Sequence, residues 1–150
     1  MIRIQTIQIN KGQEQINHLM TEIDSPITSI TGIEQRLGAI ILVEIKNIHN
    51  FKTPIQLQAF AGLKPCIYQS GTIDITGHMV NHGSSYLRYA LIQAAKLLAN
   101  YSPHFRTYLR LKISQRKHYN LAVSHVAKKL IHIVYYLLKT NQSFDESKLR

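Results

Sequence analysis

The sequence predicts a mainly α fold interrupted by one small β-hairpin loop, and three observations carry that prediction. Apolar residues recur at the spacing of amphipathic helices, most regularly at Leu87, Leu91, Ala94 and Leu98 and again at Val123, Val126, Leu130, Ile133 or Val134, and Leu137. Capping residues stand directly before proline at Thr53-Pro54 and Ser102-Pro103, the arrangement of a helix start. Only residues 64–83 replace the helical period with Pro, Gly, Thr and alternating apolar side chains (Ile67, Ile73, Ile75, Met79). With 150 residues, 45% of them hydrophobic, the chain is long enough for one domain with a real core and too apolar for disorder.

Residues 1–25 are polar and rich in Gln and Asn, with Ile16, Leu19, Met20 and Ile23 at helical spacing. They predict an N-terminal helix, one strand of a coiled coil cut short, which Pro26 ends. One domain is expected over 26–140. Its first part, residues 27–48, reads as a helix-hairpin-helix-like unit: a helical turn, a tight hairpin at Thr31-Gly32-Ile33, and a helix burying Leu37, Ile40, Ile41 and Ile45. Thr31 followed three residues later by Glu34 has the form of a capping box and places that helix start. Thr53-Pro54 opens a short helix that Gly62 stops in a left-handed conformation. After the hairpin loop a three-helix C-terminal part is expected over 84–101, 103–115 and 120–139, followed by a frayed tail at 141–150.

Charge narrows the function. The net charge is +10, and between Asp74 and Asp145 there is no acidic residue beside ten Lys/Arg and six His. Such a surface meets polyanions, of which nucleic acids are the commonest in a cell. A membrane partner is not expected. The apolar runs at 37–43 and 131–138 are interrupted or short for a bilayer, no apolar signal core opens the chain, and the basic residues spread over several helices with apolar seams. The lone Cys66 cannot form an internal disulfide, which fits a reducing cytoplasm. No metal site is expected within the chain. Its eight acids are scattered, and its histidines lack cysteine or carboxylate companions at ligand spacing.

Several residues carry candidate chemistry. The hairpin at Gly32 would offer backbone N–H groups to a DNA phosphate, or be a plain structural corner. Ser70-Gly71 sits in a turn context, where serine has a free hydroxyl but needs a base or metal to act as a nucleophile. Gly77-His78 and residues 83–88 place a loop before a helix whose first turn carries Arg88, a phosphate cradle or an ordinary capped helix. Arg106, Arg110 and Lys117 recur near helical spacing, as do Lys112 and Arg116. Lys128 shares one stripe of the last helix with His125, His132, Tyr135 and Lys139, with Lys129 beside it. Solvated faces normally mix Glu with Lys, and these do not, so nucleic-acid contact is the preferred reading.

The ordered set Ile30…Gly32-Ile33, Glu44-Ile45, Phe51-Lys52-Thr53-Pro54, Leu57, Phe60-Ala61-Gly62-Leu63-x-Pro65, Ser70-Gly71, Gly77-His78, Gly83 and Leu87-Arg88 resembles one family. It is the C-terminal domain of insertion-sequence transposases that carry an N-terminal DEDD, RNase H-like domain, the RNA-guided recombinases. The resemblance implies a shared active site. The acidic N-terminal domain holds Mg²⁺, and the C-terminal domain supplies a serine, here Ser70, that attacks DNA and becomes covalently linked. It implies DNA as partner, with a structured guide RNA, a full-length transposase or a second copy paired through the N-terminal helix as further candidates. A cytoplasmic, nucleoid-associated location follows. Two features depart from the pattern: Glu34 stands where a second glycine is expected, and Asn81-His82-Gly83-Ser84 replaces a Lys-Arg-Gly-Asn run, removing two fixed charges. The acidic metal-holding domain has no counterpart here, so the expected role is a DNA-binding, nucleophile-bearing half of a transposase, truncated and unable to cleave DNA alone. The alternative is a non-catalytic DNA- or RNA-binding module that modulates a full-length relative.

Overall fold

The computed structural model describes residues 2–63, 65–70, 73–79 and 83–149, with the backbone alone along 65–70 and 73–79. Among them are six α-helices: α1 (Ile2–Ile23), α2 (Gln35–Ile45), α3 (Pro54–Phe60), α4 (Ser85–Tyr101), α5 (Pro103–Ser114) and α6 (Tyr119–Thr140). Strands β1 (Pro65–Ser70) and β2 (Ile73–Met79) pair antiparallel between α3 and α4, with Ser70 opposite Ile73. The fold is mainly α.

Helix α4 forms the centre, and α2, α5 and α6 pack on it. Its seam of Leu87, Leu91, Ala94 and Leu98 is fully buried together with Ala90 and Ala95. The alanines let neighbouring backbones come close while the leucines fill the space between them. Ser102 caps α5 by accepting a hydrogen bond from the Phe105 N–H, and Pro103 takes the first helical position, where its missing N–H costs nothing. That start drives Phe105 fully into the core. Helix α6 packs on α3, α4 and α5 through Val123, Val126, Leu130, Ile131 and Val134. By length and composition α6 could cross a bilayer, yet half of its most apolar stretch is buried inside the domain.

Local chemistry explains the remaining starts and stops. Thr53 accepts from the Gln56 N–H at 3.3 Å to cap α3, and Gly62 (φ 70°) ends that helix in the left-handed region. The turn before α2 closes through the Ile33 N–H to the Ile30 carbonyl at 3.0 Å, with Gly32 at φ 94°. Gly32 faces α4 so closely that a Cβ would lie 2.9 Å from the Leu98 nitrogen, so the position admits little but glycine.

The structure corrects three expectations. The Thr31/Glu34 pair is not a capping box: the turn consumes Thr31, α2 starts three residues later, and Glu34 is its N-cap without a side-chain bond. In α2, Ile41 and Ile45 are buried, Leu37 and Ile40 only partly, and Gly38 is buried where Met20 of α1 packs against it. In α1, Leu19 and Ile23 are exposed and Met20 alone is buried, because only the C-terminal end of that helix meets α2. The Phe144 N–H donates to Ser29 Oγ at 2.8 Å, Ser102 Oγ donates to Glu146, and Phe144 and Leu149 pack on the core.

Candidate nucleic-acid interface

The strand pair rises from a tightly built root. Gly83 (φ 90°) lies so close to the end of α3 that a Cβ would fall 2.0 Å from the Phe60 carbonyl oxygen. The next residue locks the contact, since the Ser84 N–H donates to that same oxygen at 2.8 Å. Ser84 Oγ accepts from the Leu87 N–H to cap α4 and donates to the Glu44 carboxylate of α2. Three helices therefore meet at one serine. Gln58 and Leu63 close the other side, the Leu63 N–H donating to the Gln58 carbonyl at 3.1 Å.

Among the residues expected to act, Ser70 ends β1, and its side chain, like that of His78, lies outside the described residues, as does Gly71 altogether. Gly32 is committed to packing against α4. Arg88 lies one turn into α4, and its Nη1, shut from solvent, has no hydrogen-bond partner among the described residues. Arg106 donates to the Asn100 carbonyl near the end of α4, so it braces the α4–α5 corner. Arg110 and Arg116 are exposed, Arg116 at φ 60° in the α5–α6 turn.

The densest positive field lies between α5 and α6. Burial pushes the Lys128 ammonium below its usual value, and Lys117 pushes it further. Burial likewise lowers His125, followed by the charges of Lys128, Lys112 and Lys117. Two of the lysines flank one ring: Lys129 Nζ lies 4.1 Å from the Tyr108 centroid and Lys112 Nζ 5.3 Å. Among the described residues the one ion pair is His18–Glu22 on α1, so no carboxylate neutralises this cluster. A crowded set of cations that repel one another is stabilised by an incoming polyanion.

The stripe predicted on α6 divides in two. Tyr135 turns inward, buried, with its hydroxyl donating to the Lys52 carbonyl at 2.8 Å. His132 Nε2 donates to Gln58 Oε1 at 2.9 Å, and burial lowers its pKa. Both side chains hold α6 to the α3 region rather than facing solvent. Sequence reasoning missed the tie from Glu44 to Ser84, the ring of Tyr108, and Lys96, which stands eight residues after Arg88 on one face of α4. That i, i+8 spacing was the available signal for Lys96.

A family model described as "Transposase IS116/IS110/IS902 family" matches residues 24–110, from the helical turn before α2 through most of α5. The chain belongs to that transposase family. Over 139 residues it is 28% identical to the 43.6 kDa protein of insertion element IS110 from Streptomyces coelicolor (strain ATCC BAA-471 / A3(2) / M145), covering 91% of this chain and 34% of that protein. Over 78 residues it is 33% identical to a protein of Sinorhizobium fredii (strain NBRC 101917 / NGR234) named as transposase y4rJ, covering 52% of this chain and 19% of the relative. The chain thus spans about a third of the length of its insertion-element relative. The family match takes in the root at Gly62, Gly83 and Ser84 together with Arg88.

Proposed function

We propose that this domain is the DNA-binding, nucleophile-bearing part of a transposase acting in DNA transposition and recombination. Family membership over residues 24–110 carries the reading, and the uncompensated cations Lys112, Lys117 and Lys128 around His125 support it. Ser70 is the proposed nucleophile. Its Oγ would bond to a DNA phosphorus as one strand oxygen leaves, with the serine proton passing to a base and the leaving oxygen taking up a proton. The domain's own part is to hold the strand by its phosphates and to carry the serine.

Mg²⁺ would supply charge stabilisation at the phosphate. Among the described residues no three His, Cys, Asp or Glu side chains converge, and Glu44 is engaged by Ser84, so the described residues do not fit the ion by themselves. Metal binding is assigned to a separate acidic domain. The remaining proposed partners are a structured guide RNA, bound through the same basic helices, and a second copy or full-length relative paired along α1. Ile2, Ile9, Ile16 and Ile23 fall seven residues apart there, and Ile2 and Ile9 are exposed, the repeat of a coiled-coil seam.

Mixing the purified chain with a full-length relative whose nucleophilic serine is replaced by alanine tests the assignment. Restored strand transfer, lost again with Ser70→Ala in this chain, supports a working half-site. Dose-dependent inhibition of an intact relative without any rescue supports a non-catalytic binding module instead. Mg²⁺-dependent, Ser70-dependent nicking by the chain alone would contradict the division of labour.

A further inference from the structure

A second cationic site lies apart from the lysine cluster around His125, in a cleft of about 350 Å³ between α4 and the first turns of α6. Ser85, Arg88, Tyr89 and Lys96 line it from α4, and Asn120 and Ser124 from α6. Among the described residues no acidic side chain lines it. Arg88 brings a guanidinium whose Nη1 is buried without an acceptor among the described residues. Lys96, two turns further along the same face, adds a second charge to the wall. Ser85 and Asn120 stand in the first turns of their helices, so both dipoles present positive ends to the space. Tyr89 is half-exposed and offers an unstacked ring at the rim. The volume falls within the range of sites for small organic ligands.

We propose that this cleft binds one nucleotide unit of a single strand, with its phosphate against Arg88 and Lys96 and its base stacked on Tyr89. Stacking on an exposed aromatic ring beside a backbone-tracking cation is the general chemistry of single-strand capture, since a base inside a duplex presents no free face. The proposal rests on the nucleic-acid reading for the identity of the strand. The same chemistry fits a free mononucleotide, and the test separates the two.

The test uses the full 150-residue chain, labelled for amide resonances, titrated with a short oligothymidylate, with thymidine monophosphate, and with a duplex. The expected result is that the single strand shifts the amides of Tyr89, Asn120 and Ser124. Arg88→Gln and Lys96→Gln should each weaken it about tenfold, the loss of one charge-assisted hydrogen bond, and change duplex binding less than about twofold. Lys96→Gln lies on a partly exposed position and reports even if Arg88→Gln disturbs the packing of α4. Equal affinity for the monophosphate and the oligonucleotide would overturn the strand assignment. Single-strand binding that leaves the amides of Tyr89, Asn120 and Ser124 unshifted would overturn the cleft and leave the proposed function standing. Absence of binding to any of the three would overturn both.

Discussion

Gly83 shows how far one residue specifies the root of the strand pair. Its positive φ and its approach to the Phe60 carbonyl each exclude a side chain. Gly83→Ala is therefore expected to cost at least ~2 kcal/mol of stability, read from thermal unfolding by circular dichroism. Gly12→Ala, whose Cβ meets nothing within 4 Å inside α1, should cost none. The histidines of α6 make a second residue-scale prediction. His125 and His132 both titrate below their ordinary value, chiefly from burial. The unfolded chain then takes up protons first, so their contribution is complete above about pH 6.5 and is lost as pH falls through the lower folded values. Melting temperature should decline across that window, and a His125→Gln/His132→Gln chain should decline less. The cations around His125 predict a third outcome. Replacing both Lys117 and Lys128 by Gln should weaken duplex binding similarly on unrelated sequences in a filter or anisotropy assay, because phosphate contacts carry no code. Strongly sequence-selective loss would count against that role.

At the scale of elements, the helices whose apolar stripe meets one continuous partner were legible. The seams of α4 and α6 follow the 3.6-residue period, and the caps at Thr53 and Ser102 act where the sequence placed them. Legibility failed where a local pattern has two solutions. Thr-x-x-Glu fits a capping box, and it equally fits a turn followed by an N-cap at Glu34; contact of Gly32 with α4 selects the second. Tyr135 and His132 look like solvated-face residues, yet the Lys52 carbonyl and Gln58 give them hydrogen-bond partners that sequence spacing does not reveal. Helix α1 was legible as a helix and not in its packing. Because only Met20 is buried, deleting residues 2–12 should leave the melting temperature nearly unchanged, whereas Met20→Ala should cost about 2 kcal/mol or more. A large loss from the deletion would show that α1 packs more extensively on the domain.

For the whole molecule, the decisive property is the placement of charge. The acids sit at or before Asp74 or in the tail from Asp145, and the only charged residues of the helices between them are Lys, Arg and His. That asymmetry was visible in the sequence, as was the family pattern that the match over 24–110 supports. What the sequence did not show is how folding sorts the cations. Arg106 is spent on a helix end, Lys129 lies over a tyrosine ring, Arg88 and Lys96 share a cleft, and Lys112, Lys117 and Lys128 crowd His125. The most direct measurement is binding of the purified chain to duplex DNA across about 50 to 200 mM salt. The account predicts tight binding at low salt that falls steeply, with a slope reduced by roughly two when Lys117 and Lys128 are both replaced by Gln. Absence of binding at low salt, or binding indifferent to salt, would contradict it and leave the charge as a solvated face.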